Sequence, residues 1–192
     1  MIGNDIIDLK LAKTESNWKR PRFLRKVFTE KERELITKSE NKNQMVWLLW
    51  SMKEAAYKVY VQQLKKPFFN PKNLVCKLTS KCNGLVLIED MVYFTNSSLS
   101  ENCIYTIATL NHRKRYKTHC FEVKETLYHF QHEESYQAVL KMFSELNKVP
   151  MDAMEIKKNR LGIPKLFQNN KEQRISFSLT HHGNYCGWAI SN

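Results

Sequence analysis

A carboxylate and two lysines are concentrated in the stretch Trp50–Lys58, which reads W-S-M-K-E-A-A-Y-K. Glu54 and Lys58 are four residues apart, so on a helix they are neighbours on one face, with Lys53 beside them. A Glu–Lys pair at this spacing is ordinarily a surface pair that contributes about 0.3–0.5 kcal/mol. A catalytic or metal-binding role therefore needs a second carboxylate and a fold that brings it close.

The second candidate carboxylate is Asp5, inside the short apolar run Ile2–Leu9. The β-branched residues of this run predict a strand that opens the fold. Because side chains alternate across a strand, Asp5 is expected to share a face with Ile7. A charge inside a buried strand is costly unless it is paired or binds a cation. Two interpretations are open: Asp5 caps a turn near the strand end, or it binds a cation.

Hydrophobic periodicity places Glu54 on a long helix. Residues 44–63 contain neither Gly nor Pro, and their apolar residues recur at three- and four-residue steps, which predicts one amphipathic helix. Pro67 is expected to end it. An earlier helix is predicted to begin at a capping box formed by Thr29 and Glu32, and this cap by itself accounts for Glu32.

Strands and one further helix are predicted for the rest of the chain. Period-two patterns predict antiparallel strands at 74–78, 85–88, 92–95, 103–110 and 119–123, with turns at 83–84 and 96–98. A helix at 133–146 follows, then strands near 154–157, 175–180 and 185–191, with a turn at 161–164. The sequence contains no P-loop, G-x-G-x-x-G or G-x-S-x-G motif, so it lacks the common motifs of nucleotide-binding proteins and hydrolases.

The chain is strongly basic. Its 192 residues include 31 Lys and Arg against 19 Asp and Glu, for a formal net charge of +12. This charge favours an anionic partner, which can be nucleic acid, a membrane surface, a polyphosphate ligand or an acidic protein. The length suits one domain with a sizeable core or two small halves that share one.

Cysteine usage and the N-terminal sequence predict a cytoplasmic protein. The five cysteines show no C-x-x-C spacing, so free thiols in a reducing compartment are favoured over a disulfide framework or a zinc site. The sequence around Gly3 has no secretory signal pattern, and no apolar run approaches the ~20 residues of a membrane span.

Three motifs spread over most of the chain match the signatures of one family. They are G-N-D at 3–5, F-T-E-K-E at 28–32 followed by W-S-M-K-E-A-A-Y-K, and S-L-T-H-H-G-N-Y at 178–185. A G-x-P turn formed by Gly162 and Pro164 precedes the last motif. Together they resemble the 4'-phosphopantetheinyl transferase superfamily, whose signatures are G-x-D, W-x-x-K-E-A-x-x-K and S-x-[ST]-H.

The resemblance implies an α+β fold of two similar half-domains, each an antiparallel sheet with packed helices, that together form a pseudo-dimer. Residues 1–124 hold the G-x-D and W-x-x-K-E-A-x-x-K motifs, and residues 125–192 hold G-x-P and S-x-T-H. In the large surfactin-type members the G-x-P half comes first, so the halves resemble a permuted order here. The alternative is an enlarged form of the short, trimeric holo-acyl-carrier-protein synthase. The helix predicted at 133–146 and the chain length favour two halves, and hence a monomer.

The resemblance further implies an enzyme that transfers phosphopantetheine from coenzyme A to a serine of an apo acyl or peptidyl carrier protein, releasing adenosine 3',5'-bisphosphate. Fatty acid, polyketide and non-ribosomal peptide synthesis all use such carriers. The transfer depends on positioning and charge neutralisation. Mg²⁺ suits it, because this ion binds one or two carboxylates plus substrate phosphates. By resemblance, Asp5 and Glu54 hold the Mg²⁺, and Glu54 takes the serine proton directly or through a metal-bound water.

The resemblance also implies which side chains contact coenzyme A. Two lysines are expected to neutralise phosphate oxygens, Lys53 and Lys58. Lys58 is expected to be held by the glutamate four residues earlier on its own helix face. His181 is expected to hydrogen-bond a phosphate. Thr180 and Ser178 line the same strand, and Ser178 is either a lining residue or purely structural.

Two positions depart from the family pattern. Ile7 stands where surfactin-type members often carry a third acidic ligand, so water or phosphate is expected in its place. Ile163 stands where the family commonly has the lysine of G-K-P. The candidates to replace that phosphate-binding lysine are Lys165, Arg160 and Lys158.

An acidic carrier protein is the partner that the net charge favours, because a basic surface steers an acidic partner. The candidate docking residues are Arg20, Arg22, Arg25 and Lys26, for which a solvated basic stretch is the alternative. Two other functions stay open: a catalytically silent relative that binds carrier proteins, and a nucleic-acid-binding module. The aromatic residues are not interleaved with Lys and Arg as in stacking platforms, so nucleic acid is not expected as the partner. A membrane is not expected either, because no apolar run approaches the ~20 residues of a span.

Overall fold

Five α-helices and eleven β-strands are formed within residues 1–68, 70–113 and 115–191, the part of the chain that the computed structural model describes. The helices are α1 (Leu9–Glu15), α2 (Phe23–Val27), α3 (Glu30–Lys38), α4 (Lys42–Leu64) and α5 (Tyr128–Asn147). The strands are β1 (Ile2–Asp8), β2 (Leu74–Leu78), β3 (Asn83–Ile88), β4 (Met91–Leu99), β5 (Cys103–Thr109), β6 (Tyr116–Glu122), β7 (Met154–Lys158), β8 (Pro164–Gln168), β9 (Lys171–Glu172), β10 (Ser176–His182) and β11 (Tyr185–Ser191). The antiparallel sheets and packed helices confirm the α+β class.

The first sheet has the strand order β1-β5-β4-β3-β2 and is antiparallel throughout. Helix α4 lies against one face and buries an apolar stripe in the largest core of the protein, formed by residues that include Leu49, Met52, Ala56 and Val59. Strand β1 runs very close to α4, because a Cβ atom on Gly3 would lie 2.1 Å from the carbonyl oxygen of Ala55. A glycine is therefore required at this contact.

Local signals set the ends of the helices. Asn41 caps α4 by accepting a hydrogen bond from the Gln44 backbone N–H at 3.0 Å, and the helix ends at Lys65, whose φ is 56°. The helix predicted at 44–63 is thus confirmed. The capping box is also confirmed, because Thr29 Oγ1 accepts from the Glu32 N–H at 3.4 Å while Glu32 Oε2 accepts from the Thr29 N–H at 2.8 Å.

A second sheet has the order β10-β11-β6, and a third has the order β7-β8-β9. Helix α5 covers the second sheet, and Val139 and Phe143 pack with Phe177 and Trp188 in a separate core. Strand β6 precedes the predicted boundary at residue 124, yet it pairs with β11 rather than with the first sheet. The division into residues 1–124 and 125–192 remains a prediction. Strand β6 lies before that boundary in the sequence but belongs to the sheet of the second part.

The free edge of β1 is closed by side chains rather than by another strand. The N–H groups of Ile2, Asn4 and Asp8 donate to side chains of β10, namely Ser176 Oγ at 3.1 Å, Ser178 Oγ at 3.3 Å and His182 Nδ1 at 2.9 Å. Helix α4 covers the carbonyls of the same edge, with Gln62 Nε2 donating to Ile2 at 2.8 Å and Lys58 Nζ to Asn4 at 2.7 Å. These bonds join the two sheets and satisfy an edge that would otherwise be unpaired.

Most predicted strands are confirmed, but both turns predicted from Asn and Ser residues are wrong. Residues 83–84 begin β3, and 96–98 lie inside β4, which runs to Leu99. Ser97 belongs in the sheet because its hydroxyl lies 2.9 Å from Thr106 Oγ1, which also accepts from Ser51 on α4 at 2.9 Å. The three hydroxyls hydrogen-bond to one another, so they can be buried without contact with solvent. Helices α1 and α2 and strands β8 and β9 were not predicted.

Within the described part of the chain, no helix combines the length and the apolar character needed to cross a bilayer.

Candidate functional site

A cleft of about 380 Å³ lies between the first sheet with α4 and the second sheet with α5. One wall is formed by β1 and α4, and the facing wall by β10, the turn at 161–164 and α5. Seven of the ten candidate catalytic, coenzyme-binding and metal-binding residues line it: Asp5, Glu54, Lys58, Lys158, Ser178, Thr180 and His181. Residues from both ends of the chain thus meet at one place.

Asp5 lies at the base of the cleft and is only 8% exposed. Its Oδ2 atom is buried and has no hydrogen-bond partner among the described residues, while Oδ1 lies 3.9 Å from Lys58 Nζ. Burial raises the pKa of Asp5, and Lys58 followed by the Ser51 hydroxyl opposes that rise. A buried carboxylate oxygen without a partner is costly, so this atom is suited to bind a cation.

Glu54 projects from α4 into the same cleft. Burial, and then repulsion from the Asp5 carboxylate, raise the pKa of Glu54 to about 7, against a smaller opposing effect of Lys58. The repulsion between the two carboxylates that raises the pKa of Glu54 is relieved by a proton or by a cation. The described residues contain no group of three or more His, Cys, Asp and Glu side chains that could hold a metal. Mg²⁺ ordinarily binds one or two protein carboxylates and takes its other ligands from substrate phosphates and water.

Ile7 does not enlarge this acidic pair. Its side chain is buried in the core under α4 rather than open to ligands. At the position where surfactin-type members often carry a third acidic ligand, this chain therefore has an isoleucine that packs in the core.

Lys58 joins the two walls of the cleft. Its ammonium donates to the carbonyl of Asn4 in β1 at 2.7 Å and to the carbonyl of Leu179 in β10 at 3.3 Å. Its ion pair is with Asp5, in contrast to the expected pair with Glu54. The side chain stays 31% exposed, so the positive charge faces the cleft from a fixed position.

Strand β10 supplies the facing wall with two alternating sets of side chains. Ser178, Thr180 and His182 point toward β1, and Ser178 and His182 accept its N–H groups. His181 points into the cleft, where its ring lies edge-on to Tyr128 at 5.2 Å between centroids. Burial, followed by the charges of Lys58 and Lys158, lowers the pKa of His181. A neutral imidazole is therefore favoured near pH 7.

Three of the expected coenzyme-binding residues lie elsewhere. Lys53 is 1% exposed and donates to Glu32 Oε2 at 2.9 Å and to two backbone carbonyls near β2. It does not face the cleft, in contrast to the expectation that it contacts phosphate. Lys165 pairs with Glu172 at 2.5 Å in a neighbouring groove, and Arg160 is exposed in the turn before Gly162.

Sequence reasoning missed several residues of the cleft. Tyr57, His132 and Tyr136 line it, with the His132 and Tyr136 rings 4.0 Å apart between centroids. His132 and Tyr136 are four residues apart on α5, so the helical spacing was a usable signal. Ile163 also lines the cleft and packs into the main core, so this wall is apolar where a lysine was considered.

The chain was compared with curated proteins, solved structures and family models, and the family models give the match that agrees with the motifs of residues 1–108. No curated protein matches the chain at a significant level. Among solved structures, the chain is similar to the crystal structure of Thermotoga maritima holo-[acyl-carrier-protein] synthase, at 11% identity and a TM-score of 0.45, covering 100% of this chain and 82% of that one. The family model of the 4'-phosphopantetheinyl transferase superfamily matches residues 1–108, more than half of the sequence. The chain belongs to the 4'-phosphopantetheinyl transferase superfamily.

Proposed function

We propose that this protein transfers the 4'-phosphopantetheine group from coenzyme A to a serine hydroxyl of an apo carrier protein, with Mg²⁺, and releases adenosine 3',5'-bisphosphate. The observation that carries the proposal is the pair of buried carboxylates, Asp5 and Glu54, in a cleft that also holds Lys58 and His181. Family membership supports a phosphopantetheine transferase activity.

Asp5 and Glu54 are the residues proposed to hold the metal ion. The unpartnered Oδ2 of Asp5 and the raised pKa of Glu54 both indicate that Lys58, the cation beside them, does not fully compensate the two carboxylates. Bound there, Mg²⁺ supplies positive charge that neutralises the diphosphate of coenzyme A. The two residues come from a strand and a helix in fixed contact, which keeps the carboxylates in place without the substrate.

The cations of the cleft are proposed to bind the diphosphate. Lys58 presents its charge beside Asp5 from a position that two carbonyls define. His181 is favoured as neutral imidazole, so one ring nitrogen donates a hydrogen bond to a phosphate oxygen. Preorganised donors of this kind stabilise charge that develops during phosphoryl transfer.

The transfer itself exchanges one phosphorus–oxygen bond for another. The serine oxygen forms a bond to the phosphorus that carries pantetheine, and the bond from that phosphorus to the adenosine 3',5'-bisphosphate oxygen breaks. Glu54 is proposed to accept the serine proton, directly or through a metal-bound water, because it is an acidic side chain of the cleft beside the proposed metal site. The serine oxygen thus loses its proton to Glu54, and adenosine 3',5'-bisphosphate leaves from the phosphorus.

The remaining coenzyme contacts are proposed for the β10 wall and the turn before β8. Lys158, Thr180 and Ser178 line the cleft and are assigned to coenzyme A. Lys165 and Arg160 lie outside it and are assigned only to parts of the coenzyme that extend beyond the cleft.

The proposal also concerns assembly and partner. All cleft residues belong to one chain, which supports a monomer of two half-domains, and light scattering of the purified protein tests it. The excess of basic residues supports an acidic carrier protein as partner. The pathway served and the cytoplasmic location belong to the same proposal, and a panel of apo carriers from fatty acid, polyketide and peptide synthesis distinguishes the pathways.

The deciding experiment incubates the protein with coenzyme A, Mg²⁺ and an apo carrier protein, and measures the carrier by intact mass spectrometry. We expect the carrier to gain one phosphopantetheine. Glu54→Ala and Asp5→Ala are expected to abolish the gain while circular dichroism shows a folded protein. Wild-type turnover in either variant would contradict the metal assignment.

Lack of a mass gain with every carrier would contradict the activity itself. Carrier binding without transfer would then identify a silent relative, and tight DNA binding would identify a nucleic-acid module. Glu34→Ala, on the exposed face of α3, serves as the control that should retain full turnover.

A further inference from the structure

Two of the five free cysteines lie on strands that face each other across the two sheets. Tyr105 of β5 and Thr118 of β6 touch there, with Tyr105 Oη 2.7 Å from Thr118 Oγ1. Cys103 lies two residues before Tyr105, and Cys120 lies two residues after Thr118. Because residues two apart share one face of a strand, the two thiols occupy the next facing position.

The sheets approach closely at this position. Cys120 is the cross-strand partner of Gly187 in β11. A Cβ atom on Gly187 would lie 2.7 Å from the Tyr105 ring, so the absence of a side chain lets the first sheet come near. Cys103 and Cys120 belong to the same apolar cluster between the sheets, and both line one surface cleft of about 390 Å³.

We propose that Cys103 and Cys120 form a redox-active dithiol that a low-molecular-weight disulfide converts to an intramolecular disulfide between the two sheets. The site is separate from the cleft of Asp5 and Glu54, and it does not depend on the transferase proposal. Each thiol belongs to a different sheet, so the bond would link them covalently.

The two thiols have different exposures, which sets their order of reaction. Cys120 is partly exposed to the surface cleft, whereas Cys103 is 7% exposed. The hydrogen bond between the thiols lowers the pKa of Cys120; the same bond, followed by burial, raises the pKa of Cys103. The thiolate is the nucleophile in exchange reactions, so Cys120 reacts first.

The exchange balances in two steps. The Cys120 thiolate attacks one sulfur of the small disulfide, forming a mixed disulfide and releasing one small thiolate. Cys103 loses its proton to solvent and attacks the Cys120 sulfur, which releases the second small thiolate. The protein loses two protons and two electrons, and the small disulfide takes them up to give two thiols.

The test equilibrates the full-length protein with mixtures of oxidised and reduced glutathione, then quenches it with acid. Remaining thiols are alkylated in denaturant, and non-reducing peptide mapping by mass spectrometry identifies the linked residues. We expect a Cys103–Cys120 link to be the dominant disulfide. Glutathione that accumulates on Cys120 without the link, or Cys103 that stays alkylatable under the most oxidising mixture, would overturn the proposal.

Single variants separate the two roles. Cys103→Ser should retain glutathione on Cys120, because no second thiol displaces it, and Cys120→Ser should leave Cys103 unmodified. Cys82→Ser is the matched control and should retain the link. As a second readout, oxidised wild-type protein should melt at a higher temperature than reduced protein, and a redox-dependent shift of equal size in Cys103→Ser would refute the link as its cause.

Discussion

Glu54 is the residue at which stability and proposed function oppose each other. Its pKa is raised from 4.5 to about 7 by burial and by Asp5, so ionising it in the ligand-free protein is costly. Below pH 4.5 the group is protonated in the folded and unfolded states alike. As pH rises from 4.5 to 7 the unfolded chain ionises first, so stability is lost over that interval and then stays level.

We therefore predict that Glu54→Gln stabilises the ligand-free protein at pH 8 by roughly 1–3 kcal/mol, since the side chain is only partly exposed. The gain should shrink as pH falls and vanish below about pH 4.5. Urea unfolding at several pH values measures it. Glu34→Gln, whose side chain is 61% exposed, is the control and should change little. A gain that does not vary with pH would show that Glu54 is not the titrating group.

The same residue predicts how cation binding depends on pH. Since Glu54 holds its proton up to about pH 7, a proton competes with Mg²⁺ below that value. The affinity of the free protein for Mg²⁺ should fall by about tenfold per pH unit below pH 7 and level off above it. Titration calorimetry at pH 6, 7 and 8 tests this, with Asp5→Asn expected to show little binding at any pH. Affinity that is flat with pH would exclude Glu54 as a ligand.

At the scale of elements, the buried Lys53–Glu32 pair fixes α3 and β2 against α4. Glu32 accepts from the Thr29 N–H, the Cys76 N–H and Lys53 Nζ, so one carboxylate serves a helix cap, a strand and an ion pair. Lys53 in turn covers the carbonyls of Pro71 and Leu74. Each charged group of this junction therefore takes its hydrogen bonds from other groups of the same junction.

Removal of one partner should therefore leave a buried charge uncompensated. We predict that Lys53→Ala destabilises the protein by about 3–5 kcal/mol in urea unfolding. Lys38→Ala breaks an exposed pair with Glu34 on α3 and should cost less than about 0.5 kcal/mol. If the two variants unfolded at the same urea concentration, the junction would contribute nothing beyond a surface pair.

At the scale of the whole molecule, the charge of +12 concerns the encounter with the partner. The side chains of Arg20, Arg22, Arg25 and Lys26 are all exposed, around the short helix α2. A basic surface of this kind raises the association rate with an acidic protein, and salt screens the effect.

We predict that kcat/KM for an acidic apo carrier falls as salt is raised, and that Arg22→Glu with Arg25→Glu lowers it roughly tenfold at low salt. The effect should lie mainly in KM. Lys38→Glu with Lys42→Glu, elsewhere on exposed helix surface, is the charge-matched control. An equal loss in both double variants would mean that net charge, and not this segment, attracts the carrier.

The sequence by itself determined the elements and the chemistry available to them. The capping box, the long helix, the strand of Asp5 and most other strands were predictable, because periodicity and capping act over a few residues. The motif residues Asp5, Glu54 and His181 were found by their resemblance to the family signatures, and their functional roles remain predictions.

Only the tertiary structure decided which side chains meet. Lys53 and Glu54 are adjacent in sequence, yet the packing of the helix buries the Lys53 side chain against Glu32 and directs the Glu54 side chain into the cleft. The closure of the β1 edge by Ser178 and His182, and the facing pair Cys103 and Cys120, were likewise invisible in the sequence. Spacing fixes the direction of a side chain on its own element, but the neighbour it reaches depends on contacts between residues far apart in the chain.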